Sequence, residues 1–315
     1  MKKADIIVPV YNEEESLLDF YKEVSAVTGE LAGYRFSFIF VDDGSSDRSI
    51  EIIKDLAGRD DSVKYISFSR NFGKEAAIYA GLSNASGDFS ILMDADLQHP
   101  PGLIPRMLEY VDGGGFDACG AKRIPGRMSR MFTAFNNRLS TVKLQTGATD
   151  YMCMNSKFRD SVVSLSETQR FSKGLFAWVG FRVKWVDYVQ MERLRGRSKW
   201  NFRKLFSYAI DGLTGFSTIP LKMVTVSGAV ICILAVVYIL AVLIRTLIRG
   251  IDVPGYVTTL VAVLFLGGII LLSVGVLGSY IGRIFMESKN RPIYIMDQTN
   301  IKTGEKAVND QNKDD

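Results

Sequence analysis

The chain has one histidine and three cysteines in 315 residues. With only His99 available, a multi-histidine metal centre is excluded, and a histidine-based triad has a single candidate. Cys119, Cys153 and Cys232 are far apart in sequence and lack metal-ligand spacing. That usage excludes a disulfide framework and suits a reducing compartment. Glycine-rich phosphate loops of the GxGxxG and GxxxxGK[ST] kinds are missing, and so are internal repeats. The opening MKKADIIVPVYNEEE reaches acids after a short apolar run, unlike a secretory signal. A net charge of +4 is too mild to suggest a nucleic-acid partner.

What is abundant is apolar sequence, 47% of the chain, and it is concentrated late. Residues 223–244 and 257–282 carry no charge at all, and each is long enough to cross a bilayer as a helix. Lys199, Arg203, Lys204 and Lys222 precede the first run, and Arg283, Lys289 and Arg291 follow the second. The connecting loop is expected to hold Arg245, Arg249 and Asp252, which leaves a modest positive bias on the outer flanks. That bias places both termini in the cytoplasm of a multi-pass cell-membrane protein. Residues 201–220 space apolar side chains on one helical face, as expected of a juxtamembrane helix lying in the interface. Residues 283–315 form a cytoplasmic tail, and its polar stretch from Thr299 reads as disordered.

The first 120 residues alternate strand-like and helix-like blocks. ADIIVPV, FSFIFVDD, VKYISFS and DFSILMDAD each precede a segment of helical spacing. This order argues for a mostly parallel sheet with helices on both faces, whose ligands sit beyond the carboxyl ends of the strands. Tyr11-Asn12-Glu13, Asp42-Asp43-Gly44 and Asp94-Ala95-Asp96 all fall on that rim. Solvation alone explains three acidic strand ends poorly. Asp94 and Asp96, with Gln98 close by, offer the hard oxygen ligands that suit Mg²⁺ or Mn²⁺ held jointly with substrate phosphates. Asp42 and Asp43 offer acceptors for a nucleotide base or ribose. Arg123, Arg193 and Lys199 supply cations for a diphosphate.

In order and spacing, VPVYNEEE, VDDGSSD, RNFGKEAAIYAGL, DADLQHPP and RGRSKWN resemble the family 2 glycosyltransferases of GT-A fold. Within them the chain resembles the polyprenyl-phosphate branch, which contains dolichol-phosphate mannose synthases and the GtrB-type bactoprenol glucosyltransferases. The resemblance implies an α/β architecture. A Rossmann-like GT-A catalytic domain occupies residues 1–200, the amphipathic segment 201–220 and a two-helix transmembrane anchor 221–282. It further implies that Pro9, Tyr11, Glu13, Val41, Asp43, Asp94 and Ala95 contact the donor nucleotide, and that Asp94, Asp96 and Gln98 hold the metal. Arg123, Arg193 and Lys199 are placed on the donor and acceptor phosphates, with Arg127 and Arg130 in a mobile basic loop. Asp150 is placed beside the sugar, either orienting it or acting as a base. Two departures stand out. His99 replaces the acid that commonly follows the glutamine, and TDYMCMNSKF replaces a segment near the sugar.

The expected reaction is inverting transfer of a monosaccharide from a nucleotide sugar to undecaprenyl phosphate, for modification of a cell-envelope glycopolymer. UDP-glucose leads as donor, followed by UDP-N-acetylglucosamine and GDP-mannose. Implied partners are the membrane, a flippase, a downstream polytopic glycosyltransferase and a second copy of the chain. Two rival readings fit the sequence less well. A processive polysaccharide synthase requires a QxxRW motif, which Gln169 and Arg170 do not form. A non-catalytic nucleotide-sugar sensor serving a flippase is disfavoured by the intact Asp94–Asp96 pair.

Overall fold

The computed structural model describes residues 1–126, 130–131, 133–134, 137–138, 142–189, 219–249 and 255–301. Two compact units are present. One comprises Met1–Thr133, Leu144–Trp200 and Pro292–Asp315; the other comprises Ala134–Lys143 and Asn201–Arg291.

The first unit is built on an eight-stranded sheet. Its strands are β1 (Lys2–Val10), β2 (Tyr34–Asp42), β3 (Val63–Phe68), β4 (Phe89–Leu92), β5 (Ala118–Arg123), β6 (Ala148–Asn155), β7 (Val183–Tyr188) and β8 (Met296–Thr299). The spatial order is β7-β5-β6-β4-β1-β2-β3-β8. Strands β4, β1, β2 and β3 run parallel, as do β5 and β7. Strand β6 is antiparallel to β4 and β5, and β8 is antiparallel to β3. From Ala4 to Val10 every residue of β1 is buried, as expected of a parallel strand covered on both faces. Helices α1 (Leu17–Gly29), α2 (Ser49–Arg59), α3 (Lys74–Asn84) and α4 (Ile104–Asp112) follow the first four strands in turn. Helix α3 lies tight on the sheet. A Cβ on its Gly81 would come within 2.2 Å of Ile7 Cγ2, so only glycine permits this approach. Short helices α5 (Ser156–Val163) and α6 (Ser172–Trp178) separate β6 from β7.

The second unit contains α7 (Ile219–Arg249) and α8 (Tyr256–Ser288), both long and apolar enough to cross a membrane. The expected spans fall inside these helices. Arg245 and Arg249, expected in the connecting loop, lie instead on the last turns of α7. Residues 201–218 of the amphipathic segment and residues 302–315 of the tail lie outside the described residues.

The tail expectation needs correction at its start. Thr299 closes β8, and order continues through Asn300 to Ile301. Side chains do much of this. Asn300 Oδ1 accepts from the Tyr65 amide at 2.8 Å, and its Nδ2 donates to Val63 O at 3.0 Å. The Thr299 hydroxyl donates to Tyr65 O at 2.6 Å.

Candidate active site

The three acidic strand ends meet at one rim, but they do different work. After β2, Asp42 and Asp43 are only 1% and 3% exposed. Asp42 accepts from the Ser67 hydroxyl at 2.9 Å and the Ser45 amide at 3.2 Å. Asp43 accepts from the amides of Phe72 at 2.6 Å and Gly73 at 2.9 Å. Burial pushes its carboxyl up to about 6 despite those donors. In this structure both carboxylates face inward and support loops. Gly44 allows that packing. Its φ is +66°, and a Cβ there would stand 2.5 Å from the Arg70 carbonyl carbon. Pro9 and Val41, register partners across β1 and β2, are buried beneath the rim. Tyr11 is 39% exposed where β1 ends. Glu13 is half-buried, and its carboxylate accepts from the Ser16 hydroxyl at 3.1 Å.

Beyond β4 the chain alternates. Asp94, Asp96 and Gln98 are half-buried, whereas Ala95, Leu97 and His99 are buried. The alternation gives all three oxygen-bearing side chains the same intermediate exposure. The Gln98 amide donates to Asp96 Oδ1 at 3.2 Å, closing the turn. His99 explains its own departure from the common acid. Its ring stacks on Tyr151 with centroids 5.1 Å apart and accepts at Nδ1 from the Asp94 amide at 3.3 Å. Burial holds the ring below its usual pKa, in the neutral form that such an acceptor requires. His99 thus braces Asp94 from behind.

Strand β6 supplies the opposite wall. Leu92 pairs with Met152, and the same antiparallel register, continued two residues, sets Asp94 opposite Asp150. Between them lies Lys74, the first residue of α3. Its Nζ stands 2.7 Å from Asp94 Oδ1, 2.9 Å from Asp94 Oδ2 and 2.7 Å from Asp150 Oδ2. Lys173 Nζ adds a longer contact, 3.8 Å from Asp150 Oδ1. Burial alone would raise the Asp150 carboxyl, but the two lysines outweigh it and hold the group well below the usual carboxylate range. Arg123 ends β5 opposite Tyr188 in the register, and the Tyr188 hydroxyl pKa is raised chiefly by burial, with Arg123 lowering it and Asp94 and Asp96 raising it further. The structure therefore gathers Asp94, Asp96, Asp150 and Arg123. Arg130 is exposed, with Nε donating to Pro125 O at 3.2 Å. Arg127, Arg193 and Lys199 lie outside the described residues.

Sequence reasoning missed Lys74, Lys173 and Glu75. A signal existed for the lysines. Both sit in the first turn of a helix, where the macrodipole disfavours cations, so each needs a nearby anion. Glu75 accepts from the backbone amide of Ser172 at 2.8 Å and also from its hydroxyl, tying the start of α6 to α3.

An open, mostly parallel sheet with carboxylates gathered past its strand ends, followed by two candidate membrane-spanning helices, defines a GT-A-type transferase domain with a C-terminal hairpin. Residues 5–163 match glycosyl transferase family 2, and residues 219–284 match the GtrB C-terminal hairpin. The chain belongs to glycosyl transferase family 2. It is 42% identical to the putative glycosyltransferase CsbB of Bacillus subtilis, over 94% of this chain and 92% of that protein. Identity is also 42% to the bactoprenol glucosyl transferase of Shigella phage SfV, over 93% and 98%. A more remote likeness is to the solved structure of Mycobacterium tuberculosis glucosyl-3-phosphoglycerate synthase with Mn²⁺, UDP-glucose and phosphoglyceric acid. It has a TM-score of 0.46 and 17% identity, covering 68% of this chain and 78% of that one.

Proposed function

We propose that this glycosyltransferase moves glucose from UDP-glucose to undecaprenyl phosphate, with inversion, at the cytoplasmic face of the cell membrane. One observation carries the reading: a single chain joins an acid-and-cation site at its strand ends to an apolar helical hairpin of the GtrB kind. The name of the phage relative, a bactoprenol glucosyl transferase, supports the acceptor and the sugar. The return of the chain to the catalytic sheet as β8 supports an even number of crossings between α7 and α8.

In the reaction a phosphate oxygen of the lipid attacks the anomeric carbon, and the bond from that carbon to the diphosphate oxygen breaks. UDP leaves with the bonding electrons. A lipid phosphate is already anionic, so no side chain has to remove a proton; the difficulty is bringing two anions together. Arg123 offsets that charge, joined in this reading by Arg193 and Lys199, while Arg127 and Arg130 serve the acceptor. Asp150, held ionised by Lys74 and Lys173, acts as an acceptor for donor hydroxyls and not as a base.

The donor set beyond β4 fits a hard divalent cation. Asp94, Asp96 and Gln98 would hold it. Among the described residues no three His, Cys, Asp or Glu side chains form a cage, so its other ligands would be water and donor phosphates. Bound there, Mg²⁺ or Mn²⁺ would stabilise the charge growing on the leaving diphosphate. The test is a donor panel of UDP-glucose, UDP-N-acetylglucosamine and GDP-mannose, using purified full-length protein, undecaprenyl phosphate and either metal. Lipid-linked glucose from UDP-glucose is expected. Faster transfer from another donor would reassign the sugar, and no lipid product from any donor would overturn the reading.

A further inference from the structure

We propose that Lys74 is a resident counter-ion on Asp94, and that the divalent cation must displace it to bind. The inference rests on the metal reading above and concerns what occupies the ligand before the metal arrives.

Asp94, two residues past the end of β4, and Asp150 in β6 both lie within 2.7 Å of one ammonium, so their carboxylates are close enough for like charges to repel. A cation between them offsets that repulsion. Lys74 fills that place, reaching both oxygens of Asp94 and one of Asp150 through a single ammonium. An ammonium seated on both oxygens of a carboxylate covers the lone pairs that a metal would use. Two cations on one carboxylate also repel each other, so occupancy is exclusive.

A permanent structural ion pair is the competing explanation, and the metal-affinity test below separates the two. The Lys74 side chain is 43% exposed, against 26% for Asp94 and 17% for Asp150, so the lysine is the most open member of the cluster. The same openness lets the ammonium leave Asp94 without disturbing the core. Asp150 then retains it, since that contact is equally short and Lys173 is farther away. Lys74 is thus a positioning residue. Before loading it keeps the two carboxylates together; after loading it belongs to Asp150 alone. In consequence, metal binding by the free enzyme is weak, and donor phosphates are needed to tip the exchange.

The test measures Mn²⁺ affinity by electron paramagnetic resonance on full-length protein in detergent, with and without UDP. Without nucleotide, Lys74→Met should bind Mn²⁺ about tenfold more tightly than wild type, within the usual range for coupling between competing sites. Lys74→Arg, which keeps the charge, should stay near wild type. Lys173→Met removes a neighbouring charge that does not sit on Asp94, and it should shift the affinity far less. Thermal melting checks that each variant folds, with Lys74→Ala read in the same way if Lys74→Met does not. An affinity for Lys74→Met within about twofold of wild type, with Mn²⁺ still bound in the presence of UDP, overturns the role of Lys74 alone. Equal gains in Lys74→Met and Lys173→Met would also overturn it, by showing a general field effect. Failure of the wild type to bind Mn²⁺ even with UDP overturns the metal reading as well.

Discussion

Asp96 reaches the rim through a turn that costs energy. Leu97, which follows it, is 3% exposed and adopts a φ of +56°, a left-handed conformation costing roughly 1–2 kcal/mol for a residue with a Cβ. Such strain persists where the surroundings over-determine it, as at a ligand site. If Asp96 stabilises the departing diphosphate through a metal, Asp96→Asn should cost about 2.7–4 kcal/mol in the transition state, near 10²–10³ in turnover. Glycosylated lipid formed per minute is the measurement, and chelation by EDTA should abolish product until Mg²⁺ or Mn²⁺ is restored. Asp43 gives a second test, through pH. Its folded carboxyl titrates at about 6, above the ordinary 3.8, so protonation favours the folded state. That contribution is complete below pH 3.8 and disappears as pH rises through 6. Relative to Asp43→Asn, the wild type should therefore lose up to roughly 3 kcal/mol between pH 4 and 7, followed as the difference in melting temperature. The acids of the rim were legible because aspartates rarely end apolar strands without a reason. Their division of labour was not, because DDG and DAD look alike until burial separates them. Lys74 was hidden in a different way. The carboxylate that needs it, Asp150, is 76 residues away and meets it only after folding.

At the scale of elements, the alternation of strand and helix through α4 was readable because each strand is rich in β-branched and aromatic residues and is followed by a segment of helical spacing. Beyond β5 that signal fails. Strand β6 runs against its neighbours, and its TDYMCMNSKF sequence gives no hint of pairing between β4 and β5. Strand β8 is only four residues long, mostly exposed, and held by side-chain hydrogen bonds to β3. Tyr294, just before it, stacks on Phe68 with centroids 4.7 Å apart, while Ile295 O accepts from the Ser69 amide at 3.0 Å. The chain that continues from there, Arg70 to Gly73, supplies the amides that hold Asp43. Tyr294→Ala should destabilise the protein by roughly 2 kcal/mol, less than a fully buried aromatic truncation because the ring is partly exposed. If the donor binds at this rim as proposed, the substitution should also raise the KM for the nucleotide sugar, since it loosens the loop that holds Asp43. A melting curve and a donor titration measure the two effects, and an unchanged KM would separate β8 from the site.

For the molecule as a whole, the apolar hairpin and the return of the chain to the sheet lead to a topological expectation. Sequence patterning gave the hairpin directly, because uncharged runs of that length have few other uses. In a Cys232→Ser background, Gly250→Cys should label with an impermeant maleimide from outside intact cells, and Lys289→Cys should not. Cys119 and Cys153 will not confuse the result. Both are buried, and burial pushes the Cys119 thiol up to about 11 and raises the Cys153 thiol well above its ordinary value. Labelling of Lys289→Cys but not Gly250→Cys from outside would reverse the assignment, and labelling of both would show that α8 does not cross. The edge strand β8 also bears on how the protein is made. Its partner β3 leaves the ribosome early, whereas β8 emerges only after both apolar helices have been synthesised. Contacts this distant along the chain are slow to form. Until they do, the β3 edge is open to pairing with another chain. A nascent chain stalled before residue 296 therefore carries an unfinished sheet, so completion of the domain reports that both apolar helices have already been made.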